Sequence, residues 1–460
     1  MAKVSVIMPS FNVAPYIREC VESVIGQTLK DIEMICVDAG STDGTREILE
    51  EYAGKDKRIR LLRSDMKSYG YQMNLGLREA SGEYIGIVET DDFILPQMYE
   101  ELYAYAKEKS ADLVKADFDV FTDVGDGERL FLRFSLKKYS NIRYGAVFSS
   151  EDYVDGRQMV DVFIWNGIYK RTFLQEHRIC FQETPGAAFQ DCGFRYQVAL
   201  YVERGFFVDA SYYRYRRSNI NSSTYNNKCV LYNLAECKNL LGIFQGKWES
   251  DDERAAFLAR EMAVIALRPY TELLRYGQEG AKGTKEALGE FRDILRDFLE
   301  RGVLDQAAVA PNLWLEIRML AADLDFYDDY AHMKAAAETE AVQKFLEKVA
   351  EKRQVVIFGG GYIGSCVYCM IRNNGIGNVV AFCDNDPSRC NSRHMGCPVI
   401  SPKEAAERFA EGYFIIANAG HQDEMQRQLY NLGIYKRQIT KYNLSSHPLE
   451  CTNMIMRSNI

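Results

Sequence analysis

Tyr84-Ile85-Gly86-Ile87-Val88-Glu89-Thr90-Asp91-Asp92 sets an apolar, strand-like run against a turn that carries three carboxylates and a hydroxyl. Carboxylates crowded in this way repel one another unless a cation lies among them. A hard divalent ion such as Mg2+ keeps several waters, takes one or two protein carboxylates and completes its shell with phosphate oxygens. That habit suits acids at the carboxyl end of a strand. Glu89, Asp91 and Asp92 are therefore the candidate metal ligands, for Mg2+ or Mn2+. The competing reading makes Asp91 or Asp92 a helix N-cap ahead of Pro96.

Upstream, Val4 to Met8 has the pattern of a buried strand, runs into Pro9-Ser10-Phe11-Asn12, and is followed by Pro15 and a helix with Ile17, Val21, Val24 and Ile25 on one face. A second strand, Glu33 to Val37, ends in Asp38-Ala39-Gly40-Ser41-Thr42-Asp43-Gly44-Thr45. Two successive β-turn-α units with polar, glycine-containing turns predict a parallel sheet whose ligand lies across those turns. Asp38 and the acids at 89 to 92 then line one crevice.

This order of segments resembles a family 2 glycosyltransferase of the GT-A fold, over roughly residues 3 to 225. The matching pieces are Val-Ser-Val-Ile-Met-Pro-Ser-Phe-Asn at 4 to 12, Val-Asp-Ala-Gly-Ser-Thr-Asp-Gly-Thr at 37 to 45, Asn74-Leu75-Gly76 with Ala80 to Ile85, and Glu-Thr-Asp-Asp at 89 to 92. Phe189-Gln190-Asp191 followed by Phe194 is similar to the family's acidic base motif. Tyr213-Arg214-Tyr215-Arg216 with Ser222-Ser223 is similar to the segment that closes the domain. The resemblance implies an inverting, metal-dependent hexosyltransferase that takes a nucleotide-sugar donor and a glycan or lipid-linked acceptor. It also implies donor binding by Pro9, Ser10, Phe11, Asn12, Asp38 and Asp91, with Phe11 stacked on the nucleobase.

Such a transfer builds charge on the departing pyrophosphate, which a metal and cationic side chains must face. Lys67 and Arg216 are the cations considered for phosphate contact. The acceptor hydroxyl needs a base, and the resemblance assigns that role to Asp191, for which an N-cap ahead of Cys192 to Leu200 is the structural alternative. Three positions depart from the family pattern. Ala39 stands where a second Asp usually takes the uracil imide N-H, which leaves the donor base open. Glu89 replaces the first Asp of the Asp-any-Asp motif and shifts metal contact toward Asp91. Met73 removes a common Arg.

At 460 residues the chain exceeds what one core usually organises. The expected division is a GT-A domain at 1–228, a helical connector at 229–350, a Rossmann-like α/β domain at 351–445 and a tail at 446–460. A net charge of −9 with no dense basic stretch argues against nucleic acid as a partner. Twelve cysteines without a disulfide-framework spacing, no uninterrupted apolar run of transmembrane length and no signal-peptide pattern at the start suggest a cytoplasmic protein. Peripheral association with the inner face of a membrane stays open on this reading, as does the oligomeric state. Cys366 and Cys369 fall in a predicted helix and read as idle thiols, and the five histidines form no ligand pair by spacing.

Helical periodicity runs through Leu231, Leu234, Ala235, Leu240 and Leu241 and again through Phe291, Leu295, Phe298 and Leu299, with breaks at Gly277, Gly280, Gly283 and Pro311. The βα pattern then restarts. Val355 to Phe358 reads as a strand, Gly359, Gly361 and Gly364 fit Gly-x-Gly-x-x-Gly, and Asp384 ends the next strand twenty residues after Gly364. This predicts a site for NAD or a sugar nucleotide, with glycines that serve close packing alone as the alternative. The module resembles the nucleotide-binding parts of some sugar-modifying enzymes. For the whole chain, a NAD-dependent sugar oxidoreductase or epimerase and a glycosyltransferase-like binding protein without turnover are the competing functions. The Tyr-x-x-x-Lys pair of short-chain reductases is missing from the C-terminal module.

Overall fold

The computed structural model describes residues 2–123, 129–137, 142–157, 160–161, 163–187, 189–219, 228–244, 252–275, 283–307, 309–418 and 420–442. Ser222, Ser223, Gly277, Gly280 and the 446–460 tail, all named above, lie outside them. The chain divides into two compact units, one of Met1–Thr122, Arg133–Tyr270 and Glu279–Asp328, the other of Asp123–Leu132, Thr271–Gln278 and Asp329–Ile460.

The first unit opens with β1 (Val4–Ser10), α1 (Ile17–Ile25), β2 (Ile32–Asp38), α2 (Thr45–Lys55), β3 (Ile59–Arg63), α3 (Tyr69–Glu79) and β4 (Tyr84–Ile87). Every residue of β1 is buried, as a central parallel strand covered on both faces demands. Four parallel strands in the order β3-β2-β1-β4 result from crossovers through helices, the connection that parallel pairing requires.

The chain continues through β5 (Phe93–Ile94), α4 (Met98–Lys109), β6 (Leu113–Asp123), β7 (Arg129–Phe134), β8 (Val147–Phe148), α5 (Ser150–Val154), β9 (Gly167–Lys170), α6 (Arg171–Glu176), α7 (Gln190–Tyr201) and β10 (Gly205–Arg216). β9 enters antiparallel between β4 and β6, and the sheet runs on through β10 to β5. The result is the mixed, parallel-rich α/β sheet of a GT-A-like fold. Asp91 and Asp92 lead into β5 and not into a helix, and α4 is preceded by Gln97 as N-cap, so neither acid caps it.

The helical stretch expected at 229–350 consists of α8 (Cys229–Phe244), α9 (Asp252–Arg275), α10 (Thr284–Glu300), α11 (Pro311–Ala322) and α12 (Leu324–Ala350). It is shared between the two units at Asp328. Within the first unit α8 packs on α7 and on α10, with Leu234, Leu240, Phe291, Leu295 and Phe298 turned inward.

In the second unit, β11 (Val355–Phe358), α13 (Tyr362–Asn373), β12 (Val379–Cys383), β13 (Ser392–His394), β14 (Cys397–Ile400), α14 (Pro402–Arg408), β15 (Tyr413–Ile416), α15 (Gln422–Asn431) and β16 (Ile439–Lys441) form a six-stranded sheet in the order β13-β14-β12-β11-β15-β16. Successive residues of β11 face opposite layers, as strand geometry dictates. Val355 and Ile357 join Val367, Met370 and Ile371 of α13, whereas Val356 and Phe358 join Ala405 of α14 and Met425 and Leu429 of α15.

Candidate active site

The strands β2, β1 and β4 end side by side because Ser10 pairs with Asp38 and Ile7 with Ile87. Their outgoing loops are therefore neighbours, and cross-loop hydrogen bonds hold them. Thr90 Oγ1 donates to Pro9 O at 2.7 Å, and Gln72 Nε2 donates to Ser10 O at 2.9 Å and Val37 O at 2.6 Å. Asn12 adopts a left-handed backbone, which Asn tolerates better than most residues. Its N-H donates to Ser41 Oγ at 2.9 Å and its Oδ1 accepts from Thr42 N at 2.9 Å. Pro9, Ser10 and Asn12 thus take part in the junction of these loops.

Phe11 is 43% exposed, with the Lys67 ammonium 4.9 Å from its ring centroid. An open aromatic face beside a cation suits a nucleobase followed by phosphate. Asp38 is fully buried and accepts from Gly40 N at 3.1 Å and Ser41 N at 3.2 Å, with Arg46 at 3.6 Å. In this structure its carboxylate shapes the β2–α2 loop.

The acids at 89 to 92 separate into different tasks. Asp92, 1% exposed, accepts from Tyr213 OH at 2.8 Å and from Arg216 N at 2.7 Å, so both its oxygens anchor the turn to β10. Tyr213 OH also accepts from Glu89 N at 3.0 Å. Asp91 Oδ2 accepts from Asn219 Nδ2 at 2.7 Å, and Glu89 Oε1 from Tyr69 OH at 2.6 Å. Burial pushes the Glu89 carboxyl up to about 8, with the charges of Asp91 and Asp191 adding to it and the Tyr69 hydrogen bond opposing. Burial also holds Asp91 and Asp92 above the ordinary carboxylate range. Among the described residues no three His, Cys, Asp or Glu side chains converge as a cation site. Asp91 with Glu89 still offers the one or two hard oxygen ligands that a phosphate-bound divalent ion uses, and a cation there would offset the desolvation of both acids.

Arg216 does not reach toward open solvent. Its side chain is 3% exposed, lies over the rings of Tyr16 and Phe121, and donates from Nε to Asp91 O and from Nη2 to Glu19, both at 2.7 Å. Here it clamps the acidic turn to α1.

Asp191 is the second residue of α7, which starts after Phe189 in a left-handed conformation, so it is not the N-cap. Burial raises its carboxyl, and the guanidinium of Arg195 one turn along opposes that shift. The charge of Asp191 adds to the upward shift of Glu89. The loop before α7 is tied to the Lys67 loop by Tyr69 N to Gly186 O at 2.9 Å and Gly186 N to Lys67 O at 2.7 Å. Spacing gave no hint of Tyr69, Gln72 or Asn219 as supports. Tyr213 was visible only as part of a quoted motif.

In the second unit, Gly364 has no room for a side chain, because a Cβ there would overlap Gly359 O, and Gly359 is left-handed with Ala417 O 2.7 Å from where its Cβ would stand. Gly361 meets only Arg389 Nη1, at 3.9 Å. Asp384 accepts from Gly360 N at 2.8 Å and Asp386 N at 2.9 Å. Close packing accounts for two of the glycines, and local hydrogen bonds account for the acid.

The glycosyl transferase family 2 model matches residues 5–178, and the model described as C2185-like, N-terminal, matches residues 351–440. The uncharacterized glycosyltransferase EpsJ of Bacillus subtilis is 30% identical over 221 residues, 48% of this chain and 62% of EpsJ. The poly(ribitol-phosphate) beta-N-acetylglucosaminyltransferase TarP of Staphylococcus aureus is 34% identical over 124 residues, 26% of this chain and 38% of TarP. The chain thus spans less than two thirds of the length of these curated relatives. Among solved structures, residues 1-349 of S. aureus TarS superpose with a TM-score of 0.54 at 19% identity, over 73% of this chain and 91% of that one. Its complex with UDP-GlcNAc gives 0.51 at 18%, over 75% and 92%. At such identity the likeness concerns the fold. The relatives and structures named above do not support NAD at the C-terminal turn, and among the described residues no helix is long and apolar enough to cross a membrane.

Proposed function

From the membership of residues 5–178 in glycosyl transferase family 2, we propose that this chain transfers a sugar from a nucleotide-diphosphate donor to an acceptor hydroxyl with inversion. What supports the reading is that the exposed Phe11 ring, with the Lys67 ammonium 4.9 Å from it, and the Glu89–Asp92 turn stand on loops that leave the carboxyl ends of neighbouring parallel strands, while the charge of Asp191 acts on Glu89. The nucleobase stacks on Phe11 and the pyrophosphate faces Lys67. A divalent ion held by Asp91 with Glu89 supplies charge stabilisation for the leaving diphosphate when bound. Asp191 takes the acceptor proton as the new glycosidic bond forms on the opposite face of the sugar. Asp92 and Arg216 hold the acidic turn in place.

The kinship with TarP and with the UDP-GlcNAc complex of TarS favours a uridine-diphosphate donor and a glycan or glycoconjugate acceptor. Ala39, 4% exposed, offers no side-chain hydrogen bond to the base, so that contact is missing or comes from elsewhere. For the C-terminal module we propose an accessory site for the phosphates of a sugar nucleotide, at Gly361 beside Arg389. A screen of nucleotide sugars, including UDP-GlcNAc, for hydrolysis with and without Mn2+ tests the main reading. Absence of both binding and hydrolysis for every donor would leave the crevice without its ligand and overturn it.

A further inference from the structure

Glu236 lies on α8, away from the acidic turn, and is 1% exposed. Neither of its carboxylate oxygens makes a well-formed hydrogen bond to a side chain among the described residues, and only the Gly193 N-H is turned toward the group and favours its charged form. Burying such a group costs free energy unless something compensates, so its presence needs a physical reason. The place it occupies supplies one. Glu236 Oε2 fills the space that a side chain at position 193 would take, and Gly193 is in the first turns of α7, two residues beyond Asp191. The helix that carries the candidate base is thus built around this carboxyl.

We propose that Glu236 is a positioning residue for Asp191: seated against Gly193, it fixes the start of α7 and with it the place of the base. The proposal rests on the reading of Asp191 as the acceptor base. Burial, together with the charge of Asp191, pushes the Glu236 carboxyl up to about 8. Near neutral pH Glu236 is then protonated, while at Asp191 the guanidinium of Arg195 opposes the upward shift that burial imposes. Among the described residues the other titratable groups facing Glu236 are the thiols of Cys192 and Cys237, both pushed up by burial, Cys192 to about 12. Above about pH 8 Glu236 ionises in its dry seat, repels Asp191 and loosens the turn.

The test uses the full-length protein, with UDP-GlcNAc hydrolysis in Mn2+ as the reaction and water as the acceptor. Glu236→Gln keeps the shape and neutrality of the group. It should retain kcat within about twofold near neutral pH and lose the decline above about pH 8. Glu236→Ala should lower kcat about tenfold with KM for the donor changed less than about twofold, since only the base is misplaced. An unchanged kcat in Glu236→Ala overturns the proposal. So does a Gln variant as impaired as Asp191→Asn, which would mean that Glu236 acts chemically itself. If the Ala variant does not fold, the Gln variant decides, and a basic limb identical to wild type overturns the idea. A second readout needs no turnover. A carboxyl raised from its unfolded value near 4.3 to about 8 weakens folding progressively as pH rises between those values and no further above them. The melting temperature of Glu236→Gln minus that of wild type should grow between about pH 5 and pH 8 and then level off. A wild type that neither binds nor hydrolyses any nucleotide sugar counts against the functional reading. A flat melting difference counts against the seat of Glu236 alone.

Discussion

Replacing Tyr213 by Phe removes one oxygen from the floor of the candidate active site and leaves the ring stacked 4.1 Å from Trp165. That oxygen has two partners, since it accepts from Glu89 N and donates to Asp92 Oδ2, and Tyr213 is fully buried. Each partner left unsatisfied costs about 1–3 kcal/mol. Two partners give about 2–6 kcal/mol, and because Arg216 N still holds the other oxygen of Asp92 the sum should fall in the lower half, about 2–4 kcal/mol. For a unit of this size roughly 2 °C of melting temperature is lost per kcal/mol, which gives about 4–8 °C by scanning calorimetry. The Glu89–Asp92 turn should loosen with it, so the Mn2+ concentration for half-maximal donor hydrolysis should rise. Asp92→Asn removes the acceptor for the same hydroxyl, and the double variant should be less destabilised than the sum of the two. A melting temperature within about 1 °C of wild type would show that the hydroxyl bridge holds nothing, and the account of Asp92 as an anchor would fall.

Three further outcomes are expected. Asp191→Asn should lower donor hydrolysis and transfer by roughly a hundredfold while UDP binding persists in calorimetry, and a rate near wild type would exclude it as base. Asp91→Asn should remove most activity and its response to Mn2+, whereas undiminished turnover in EDTA would exclude a metal at that turn. In the second unit, Gly364→Ala should lower the melting temperature because its methyl meets Gly359 O, while Gly361→Val should abolish sugar-nucleotide binding to that unit without changing donor hydrolysis. Unaltered binding in Gly361→Val would remove the proposed accessory site.

The order of elements was written in the sequence. Val4 to Met8, Glu33 to Val37 and Val355 to Phe358 are continuous apolar runs of strand length bounded by polar or glycine-rich turns, and such runs form buried parallel strands wherever helices cover both faces. The acids Glu89, Asp91 and Asp92 could be placed at a strand end for the same reason. Which of them faces the crevice could not, because that depends on partners distant in the chain: Tyr213 and Arg216 approach Asp92 across more than a hundred residues, and Asn219 does the same for Asp91. Arg216 likewise reads in the sequence as a cation for phosphate contact, and only the packing of Tyr16, Phe121 and Glu19 around it makes it a clamp. Glu236 on a largely apolar helix carries no local mark at all. Periodicity reports which side of a helix is apolar, and only the approach of α8 to the glycine of α7 decides that one acid on it lies buried beside Asp191.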